Sequence, residues 1–338
     1  MNTSFAIIGC GRIAKRHAEQ MIKHGKLVAV CDIIPEKADE LAAIYNAKAY
    51  YSIEELLKQE TGLQLVSICT PNGLHAFHSI LALKAGNHVL CEKPLCIIVQ
   101  DGKMMMDAAV KAGKKLFVVK QNRYNPPVVF LKDLIDTGKL GRIYSFQVNC
   151  FWNRPAAYYT DWKGSKELDG GTLFTQFSHF IDLLYWFLGD VATVKTTCKN
   201  FAHPQIGFED SGLVMFEMKN GSIGAINYTV NSFEKNMEGS FAVFAENGTV
   251  KIGGQYLNEL EYCHVAGITN PQLPAGNPAN GYGFYSGSMS NHDKVYENLM
   301  SALEDDKHEF ASAEDGLKTV EIIENIYKTQ TPETPSAP

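Results

Sequence analysis

A glycine-rich turn and a later aspartate are the first residues whose spacing indicates chemistry. In the segment GCGRIA, Gly9 and Gly11 stand between an apolar run and a helical stretch, and Ala14 takes the third small position of the pattern GxGxxG. Gly9 allows the tight turn, and Gly11 lets the backbone approach a pyrophosphate at a helix N-terminus. Asp32 ends the next apolar run, where a carboxylate accepts hydrogen bonds from a ribose diol. The pattern predicts a dinucleotide site.

The residues around Asp32 favour NAD over NADP. Ile33 and Ile34 follow it directly, so no cationic side chain stands there to meet a 2′-phosphate, and the carboxylate would repel that phosphate. We therefore expect NAD as the cofactor. Arg12 and Ile13 complete the glycine turn and are expected to contact NAD as well.

The elements that position these residues alternate between apolar runs and helical stretches in the first part of the chain. This alternation predicts an α/β fold, with a doubly wound parallel Rossmann sheet over residues 1–122. The pattern then changes, because GRIYSFQVNCFW alternates with a period of two. The residues expected on one face of that strand are Tyr144, Phe146, Val148, Cys150 and Trp152. We expect an α+β domain with an open-faced, mostly antiparallel sheet over residues 123–330, and a disordered tail over residues 331–338.

Composition and charge exclude several classes of function. The 338 residues carry a net charge of -6 and form no long basic cluster, so nucleic acid is not an expected partner. The longest apolar run, FIDLLYWFLG, is too short to cross a bilayer, and no signal peptide is visible, so we expect no membrane partner and a cytoplasmic location. The eight cysteines have no CxxC pair or zinc-like spacing, and no metal is expected.

The tripeptide EKP stands where the apolar run GNHVL ends, and a doubly wound sheet binds ligands beyond the carboxyl ends of its strands. The segments GCGRIA, TPNGLH and CEKP resemble, in order and spacing, the glucose-fructose oxidoreductase, inositol dehydrogenase and MocA family over essentially the whole chain. The resemblance implies an NAD-dependent oxidoreductase whose catalytic Lys93 lies beside the nicotinamide and the reacting hydroxyl, with Glu92 and Pro94 shaping its loop. The further cofactor residues that it implies are Thr70, Asn72, His75 and Asn122. For His75, a purely structural role is the alternative.

A second signature, DGGTLFTQFSHFIDLLYWFLG, resembles the family's helix after a GG turn. His179 matches its histidine and Asp182 its later aspartate, but Thr175, followed by Gln176, stands where the family has an earlier aspartate. An imidazole titrates near neutral pH, which suits His179 as the base, while Lys93 would favour the developing alkoxide. A buried structural histidine is the alternative for His179.

Several linked segments also resemble bacterial dehydrogenases that oxidise the 3-hydroxyl of UDP-N-acetylglucosaminuronic acid for lipopolysaccharide and other surface polysaccharides. They are QNRYNPPV, TDWKGSKELDGGTL, TQFSHFIDLLYW and NPANGYGFYSGSMSNHDKVYENLM. The side chains expected to hold such a UDP-linked sugar are Lys93, Arg123, Tyr124, Lys163, Thr175, Gln176, His179, Asn280, Tyr282, Tyr285, Ser288, Asn291 and His292. A loop or cap role is the alternative for each donor, and Asn291 could cap the helix that follows it.

Two other functions stay open from the sequence. One is oxidation of a free polyol such as inositol, and the other is a catalytically silent NAD-binding regulator. Retention of both Lys93 and His179 favours an enzyme. The family resemblance also implies a homo-oligomer, a dimer or a tetramer. We expect the open sheet to bury apolar residues that helices leave uncovered, such as Phe146, Val148 and Phe216, against another copy.

Overall fold

The structure is a computed structural model that describes residues 3–281, 283, 286–305 and 311–330. It divides into two compact units. The first comprises Met1–Lys120, Glu167–Gly170 and His292–Val320, and the second comprises Gln121–Lys166, Gly171–Asn291 and Glu321–Pro338, each taken over its described residues. The first unit is therefore assembled from three separate stretches of sequence.

Strands and helices alternate regularly in the first unit, whereas strands predominate in the second. The strands are β1 Thr3–Ile8, β2 Gly25–Cys31, β3 Lys48–Tyr50, β4 Leu65–Ile68, β5 His88–Cys91, β6 Leu116–Val118, β7 Ile143–Phe151, β8 Val191–Lys199, β9 Ser211–Met218, β10 Ile223–Thr229, β11 Glu238–Ala245, β12 Gly248–Gly253, β13 Glu259–Val265, β14 Ala279–Gly281 and β15 Ser286–Met289. The α-helices are α1 Ala14–His24, α2 Pro35–Tyr45, α3 Ile53–Gln59, α4 His75–Lys84, α5 Val99–Ala112, α6 Pro126–Asp136, α7 Thr172–Thr175, α8 Ser178–Leu188, α9 His292–Glu304 and α10 Ala313–Lys328. Short 3₁₀ helices cover Asn72–Leu74, Gln121–Tyr124 and Ala156–Tyr158.

The first unit contains a six-stranded parallel sheet in the order β3-β2-β1-β4-β5-β6. Its central strands are continuous apolar runs because helices cover both faces; in β1, Phe5, Ala6 and Ile7 are fully buried. The chain reverses its direction of travel across the sheet between β1 and β4, which is where such sheets bind ligands. The predicted Rossmann fold is confirmed. Only the short β3 and α3 went unrecognised in the sequence.

The second unit contains a seven-stranded sheet in the order β13-β12-β11-β7-β10-β9-β8. All neighbours are antiparallel except β7 and β10, so the predicted mostly antiparallel sheet is confirmed. Helix α8 packs on one face of this sheet, where Phe180 lies 5.9 Å from Trp152 and Phe187 lies 5.2 Å from Phe241, centroid to centroid. Tyr144, expected on the same face as Phe146, is 51% exposed at the start of β7.

One expectation about this sheet is wrong. Phe146, Val148 and Phe216 are 2%, 0% and 4% exposed, because they lie on the face that the chain itself covers. Side chains alternate along a strand, so the neighbouring positions form the opposite face. We call this opposite face the open face, and its large apolar residues, 44% to 58% exposed, are Leu213, Met215, Ile223, Phe244 and Tyr262.

The segment expected to form one long helix after the GG turn forms two. Helix α7 ends at Thr175, and α8 begins at Ser178. The break at Gln176 and Phe177 places His179 in the first turn of α8. Throughout the part of the chain that the structure describes, no helix has the length and apolar character that crossing a membrane requires.

Candidate active site

The glycine turn of the first unit has the geometry that a dinucleotide requires. Gly9 has φ of 94°, and a Cβ atom there would lie 2.6 Å from the carbonyl carbon of Cys69, so only glycine fits. A Cβ atom on Gly11 would meet nothing within 4 Å, which leaves room for a phosphate. Ala14 is fully buried at the start of α1, whose N-terminus has no side-chain cap. The turn therefore fits an anionic ligand at a helix N-terminus.

The Asp32 carboxylate is fixed beside this turn. Its Oδ2 accepts a hydrogen bond of 2.8 Å from the Cys10 backbone N–H, and its Oδ1 accepts one of 2.9 Å from the Ile34 N–H. Carboxylate oxygens have further lone pairs, so both can also accept from ribose hydroxyls. Arg12 is exposed and Ile13 half-buried in the same turn. The residues present fit the adenosine half of NAD.

The TPNGLH segment is joined to the CEKP segment by His75. This side chain is 1% exposed, and its Nδ1 lies 2.7 Å from the Pro94 carbonyl oxygen while its Nε2 lies 2.9 Å from the Thr70 carbonyl oxygen. Burial lowers the pKa of His75, so the ring is neutral near pH 7 and donates through one nitrogen only. The Thr70 hydroxyl contacts His78 Nδ1 at 3.0 Å. These contacts favour the structural role for His75, and its place along the cofactor stays a prediction.

Asn72, expected along the cofactor, holds a second segment of the first unit. Its Nδ2 donates a hydrogen bond of 2.8 Å to the Asp169 carbonyl oxygen, and the neighbouring Gly73 N–H donates one of 2.9 Å to the Leu168 carbonyl oxygen. Any Cβ atom on Gly73 would collide with this segment's backbone. Asn72 thus anchors Glu167–Gly170 through its amide nitrogen.

Glu92 is buried within a polar cluster of the first unit. Its Oε1 lies 2.9 Å from His17 Nε2 and 3.3 Å from His292 Nε2, and its Oε2 accepts a hydrogen bond of 3.1 Å from the Lys93 N–H. Burial alone would raise the pKa of Glu92, but the hydrogen bonds from the two histidines outweigh it and hold that pKa well below its usual range. His17 Nδ1 in turn lies 2.8 Å from the Tyr296 hydroxyl oxygen.

This cluster contains residues that the sequence did not reveal. His17 and Tyr296 were not recognised, and His292, expected to bind substrate, is 1% exposed inside the cluster. The sequence carried one signal for His17. It stands three residues after Ala14 on α1, and so on the same buried face of that helix. Lys93 itself is half-buried immediately beyond the cluster, and its peptide bond to Pro94 is cis.

The carboxyl ends of adjacent strands bring the predicted residues of the first unit together. Gly9, Asp32, Thr70 and Lys93 follow β1, β2, β4 and β5 in turn, and these strands are neighbours in the sheet. This is the edge at which doubly wound sheets bind ligands.

In the second unit His179 is paired with an amide. It is 3% exposed, and its Nε2 lies 3.2 Å from Gln121 Nε2. The amide nitrogen can donate to an unprotonated Nε2; if the amide turns over, its oxygen can accept from a protonated one. Gln121 Oε1 and Asn122 Oδ1 are buried and have no hydrogen-bond partner among the described residues. Buried acceptors of this kind need a donor, which a ligand can supply.

Arg123, expected to bind the substrate carboxylate, forms a buried ion pair instead. Its Nε and Nη2 donate hydrogen bonds of 2.9 and 2.7 Å to the two carboxylate oxygens of Asp182. The guanidinium also lies 4.9 Å from the centre of the Trp186 ring. Both of these Arg123 contacts lie inside the protein, and the ion pair also occupies the Asp182 carboxylate.

Gln176 is likewise engaged at both ends of its side chain. Its Oε1 accepts a hydrogen bond of 2.6 Å from Arg154 Nε, and its Nε2 donates one of 2.7 Å to the Tyr158 hydroxyl. Thr175 is half-buried at the end of α7, four residues before His179 and on the other side of the break. Gln176 therefore braces the break between the two helices.

The segment before α9 contains a second buried acceptor. Asn280 is 1% exposed; its Nδ2 donates a hydrogen bond of 3.0 Å to the Ser288 carbonyl oxygen, while its Oδ1 has no partner in the described chain. Asn291 donates to the Gln121 carbonyl oxygen at 3.1 Å and to Asn125 Oδ1 at 2.7 Å. Asn280 thus keeps an acceptor for a ligand, whereas Asn291 ties loops of the second unit together.

The remaining expected donors and rings differ in their surroundings. Tyr124 is half-buried, and burial raises the pKa of its hydroxyl to about 12. Lys163 is half-buried with its Nζ 4.5 Å from the Trp162 ring centre. Tyr282 and Tyr285 lie outside the described residues.

Comparison with known proteins decides the family. Residues 3–120 match the model of an oxidoreductase family with an NAD-binding Rossmann fold, and residues 128–251 match the GFO/IDH/MocA C-terminal domain. The chain belongs to the GFO/IDH/MocA family. The family resemblance predicted from the sequence is confirmed, and the protein is an NAD-dependent sugar dehydrogenase.

Two solved members of the family are similar over nearly the whole chain. The WlbA dehydrogenase of Bordetella pertussis, solved with NADH and UDP-GlcNAcA, is 34% identical, with a TM-score of 0.87 over 97% of this chain and 96% of that one. WlbA of Chromobacterium violaceum, solved with the same ligands, is 33% identical, with a TM-score of 0.87 over 97% and 93%. The glucose-6-phosphate 3-dehydrogenase of Bacillus subtilis is 28% identical, with 95% of each chain covered.

Proposed function

We propose that this protein oxidises the 3-hydroxyl of a UDP-linked N-acetylated amino-sugar uronate. The observation that carries the proposal is the similarity, at 34% and 33% identity over 97% of the chain, to two dehydrogenases whose structures hold NADH together with UDP-GlcNAcA. The similarity to a glucose-6-phosphate 3-dehydrogenase, at 28% identity, supports oxidation at the same ring position of a different sugar. Supply of a precursor for surface polysaccharides is part of the proposal.

The proposed chemistry assigns separate tasks to the chain's own groups. NAD, when bound, supplies the hydride acceptor, which is the difficult part of alcohol oxidation. The glycine turn and Asp32 hold its adenosine and phosphates. Lys93 orients the reacting hydroxyl and stabilises its developing negative charge. His179 accepts the hydroxyl proton, and the Gln121 amide can hydrogen-bond to the ring in either protonation state.

The proposed sugar contacts come from buried groups that still need a partner. Asn280 Oδ1, Gln121 Oε1 and Asn122 Oδ1 are acceptors for hydroxyl or amide protons of a ligand. Lys163 is proposed to bind a carboxylate or a diphosphate. Arg123 does not belong to this set, because Asp182 already holds it bidentately.

The decisive experiment compares two nucleotide sugars that differ by one group with two unrelated substrates of the family. Purified protein with NAD is offered UDP-GlcNAcA, UDP-GlcNAc, glucose 6-phosphate and myo-inositol, and NADH formation is followed. We expect turnover of UDP-GlcNAcA, with kcat/KM for UDP-GlcNAc lower by about ten- to a hundredfold, since a charge-assisted hydrogen bond to the carboxylate is lost. Faster turnover of glucose 6-phosphate or myo-inositol would refute the proposed substrate. The position oxidised is then read from the product by NMR.

A further inference from the structure

Two buried acceptors in the second unit mark a place for a ligand beside His179. Gln121 and Asn122 are neighbours in a short 3₁₀ helix and are 4% and 3% exposed. Their side-chain oxygens, Oε1 and Oδ1, have no hydrogen-bond partner in the part of the chain that the structure describes. An acceptor buried without a donor is unfavourable, so two adjacent ones indicate a ligand that brings hydrogen-bond donors.

The Gln121 side chain also defines which nitrogen of His179 is ready to accept a proton. Gln121 Nε2 lies 3.2 Å from His179 Nε2. An amide nitrogen donates hydrogen bonds but does not accept them, so a hydrogen bond between these two atoms requires an imidazole Nε2 that carries no proton. This is the form in which a histidine acts as a base. The amide nitrogen has a second N–H, which the contact with His179 leaves available.

The backbone that carries Gln121 is held in place by asparagine side chains of the same unit. Asn291 Nδ2 donates a hydrogen bond of 3.1 Å to the Gln121 carbonyl oxygen and one of 2.7 Å to Asn125 Oδ1. Asn125 Nδ2 in turn donates to the carbonyl oxygens of Tyr256 and Leu257, at 2.9 and 3.2 Å. The terminal torsion of a glutamine side chain has broad minima. The amide can therefore turn toward a ligand while its main chain stays fixed.

We propose that Gln121 is a catalytic residue whose amide N–H donates a hydrogen bond to the reacting sugar hydroxyl and stabilises the negative charge that develops on its oxygen. The hydroxyl enters between the two nitrogens, donating its proton to His179 Nε2 and accepting from Gln121 Nε2. A hydroxyl has one O–H donor and two acceptor lone pairs, so it can make both hydrogen bonds at once. The inference rests on the proposed function for the reaction, but not for the identity of the sugar.

The oxidation breaks the O–H and C–H bonds at one carbon of the sugar. The proton passes to His179 Nε2, the hydride passes to NAD, and the electron pair of the O–H bond becomes the second bond of the carbonyl. Negative charge collects on the oxygen when the proton leaves ahead of the hydride, and a donor already aimed at that oxygen lowers the barrier. A cation in the place of Gln121 would oppose protonation of His179, whereas a neutral amide does not.

The first test locates the proton on His179 in the unaltered protein and needs no substrate. Long-range ¹⁵N–¹H NMR of the full chain, labelled with ¹⁵N-histidine, distinguishes a ring nitrogen that carries a proton from one that does not. The signal that disappears in His179→Asn belongs to His179. At about pH 8, where an ordinary imidazole is neutral, we expect Nε2 to be the nitrogen without a proton. A proton on Nε2 would overturn the proposal, because the amide would then face the ring with its oxygen.

The second test locates the reacting hydroxyl directly. A crystal structure of the unaltered protein with NADH and UDP-GlcNAcA should place that oxygen within about 3.2 Å of both Gln121 Nε2 and His179 Nε2. An oxygen more than about 4 Å from the Gln121 nitrogen would overturn the inference. If glucose 6-phosphate or myo-inositol proves to be the substrate, the same arrangement is expected with that compound. The proposed substrate then fails while the role of Gln121 stands.

The third test removes the amide and measures turnover of whichever sugar the protein oxidises. Gln121→Met keeps the approximate length and bulk of the side chain without its N–H groups. We expect kcat to fall by roughly a hundredfold, with KM for the sugar changed less than about threefold, because the donor acts on charge that is present mainly in the transition state. Normal kcat in folded Gln121→Met would contradict the inference. A raised KM with unchanged kcat would reduce Gln121 to a sugar contact and would contradict it as well.

A matched variant controls for the loss of an amide elsewhere in the second unit. Gln147 is half-buried on β7, and its Nε2 donates a hydrogen bond of 3.1 Å to Asn149 Oδ1. Gln147→Met should leave kcat within about twofold of that of the unaltered protein, because this amide does not contact His179. A loss of kcat equal to that of Gln121→Met would show a general effect on the fold and would overturn the assignment. If UDP-GlcNAcA is oxidised and Gln121→Met keeps normal kcat, the proposed function stands and this inference fails.

Discussion

The buried ion pair between Arg123 and Asp182 gives a prediction that separates stability from substrate binding. We expect Arg123→Met to lower the free energy of unfolding by about 3–5 kcal/mol, because the change leaves a buried carboxylate without its partner. The two side chains are only 9% and 4% exposed, so water cannot replace the lost hydrogen bonds. KM for a nucleotide sugar should change little in the protein that remains folded.

The magnitude follows from the contacts that are lost. Two charge-assisted hydrogen bonds of 2.9 and 2.7 Å disappear together, and so does the contact with Trp186, which is worth about 0.5–2 kcal/mol. For a unit of this size, 1 kcal/mol corresponds to about 2–4 °C in Tm, so the lower bound of 3 kcal/mol corresponds to about 6–12 °C. Both Tm and the urea midpoint are measured, with NAD absent.

Two further variants serve as controls. Arg123→Met combined with Asp182→Leu removes both charges and should regain most of the lost stability, since paired replacement by apolar groups is often neutral. Lys132→Met removes another cation over Trp186, 5.2 Å from the ring centre. Its ion pair with Asp136 lies nearer the surface, with the two side chains 22% and 54% exposed. It should cost less than about 1 kcal/mol. Near-normal stability of Arg123→Met together with a hundredfold rise in KM would refute the reasoning and return Arg123 to the substrate site.

Four other predictions test separate features. Lys93→Ala and His179→Asn should each lower kcat by roughly a hundredfold or more, with NAD binding little changed. The double variant should have a kcat hardly lower than that of the less active single variant, because the two residues act in one step. Additive losses of kcat would argue against that shared step. Asp32 followed by two isoleucines should make kcat/KM for NAD exceed that for NADP, and equal values would contradict this assignment. The open face should be buried against a second copy of the chain, so light scattering should detect an oligomer. Met215→Glu places a charge on that face and should weaken the oligomer. A monomer at micromolar concentration would contradict this prediction. In the second unit, the Asp210 carboxylate accepts hydrogen bonds from the Phe201 and Ala202 N–H groups. Burial alone would raise the pKa of Asp210, but its hydrogen bonds overcome that effect and lower it. Its stabilising contribution is therefore present above the unfolded pKa of about 3.9 and is lost as the pH falls through the lower folded pKa; acid unfolding that is identical in Asp210→Asn would contradict this.

The Rossmann half was predictable because its signals are local. Alternating apolar runs and helices, a glycine turn, and a carboxylate at the end of β2 each occupy a short window of sequence. Apart from the short β3 and α3, these features were predicted correctly. The partners of buried polar groups were not predictable, because they are distant in the chain: Asp182 is 59 residues from Arg123, and His292 is 200 residues from Glu92. Side chains that looked like ligand donors were therefore satisfied by the protein itself.

The covered face of the second sheet shows a different limit of structure prediction from sequence. Period-two alternation identified the strand and the face shared by Phe146 and Val148, but it does not tell which of the two faces a helix will cover. Helix α8 covers that one, and the apolar residues left exposed, such as Met215 and Ile223, lie on the other. The break before α8 was missed for a related reason, since Gln176 is held by Arg154, a residue 22 positions away.

The discontinuous first unit has a consequence for synthesis on the ribosome. His17 leaves the exit tunnel early, but its partner Tyr296 is 279 residues downstream. The nucleotide-binding core cannot close its polar interior until α9 has been translated, by which time all of the second sheet has emerged. A nascent chain stopped after residue 122 would hold His17 and Glu92 without the α9 residues that satisfy them. The nucleotide-binding unit, which begins first in the chain, is thus completed only after the whole second sheet has been translated.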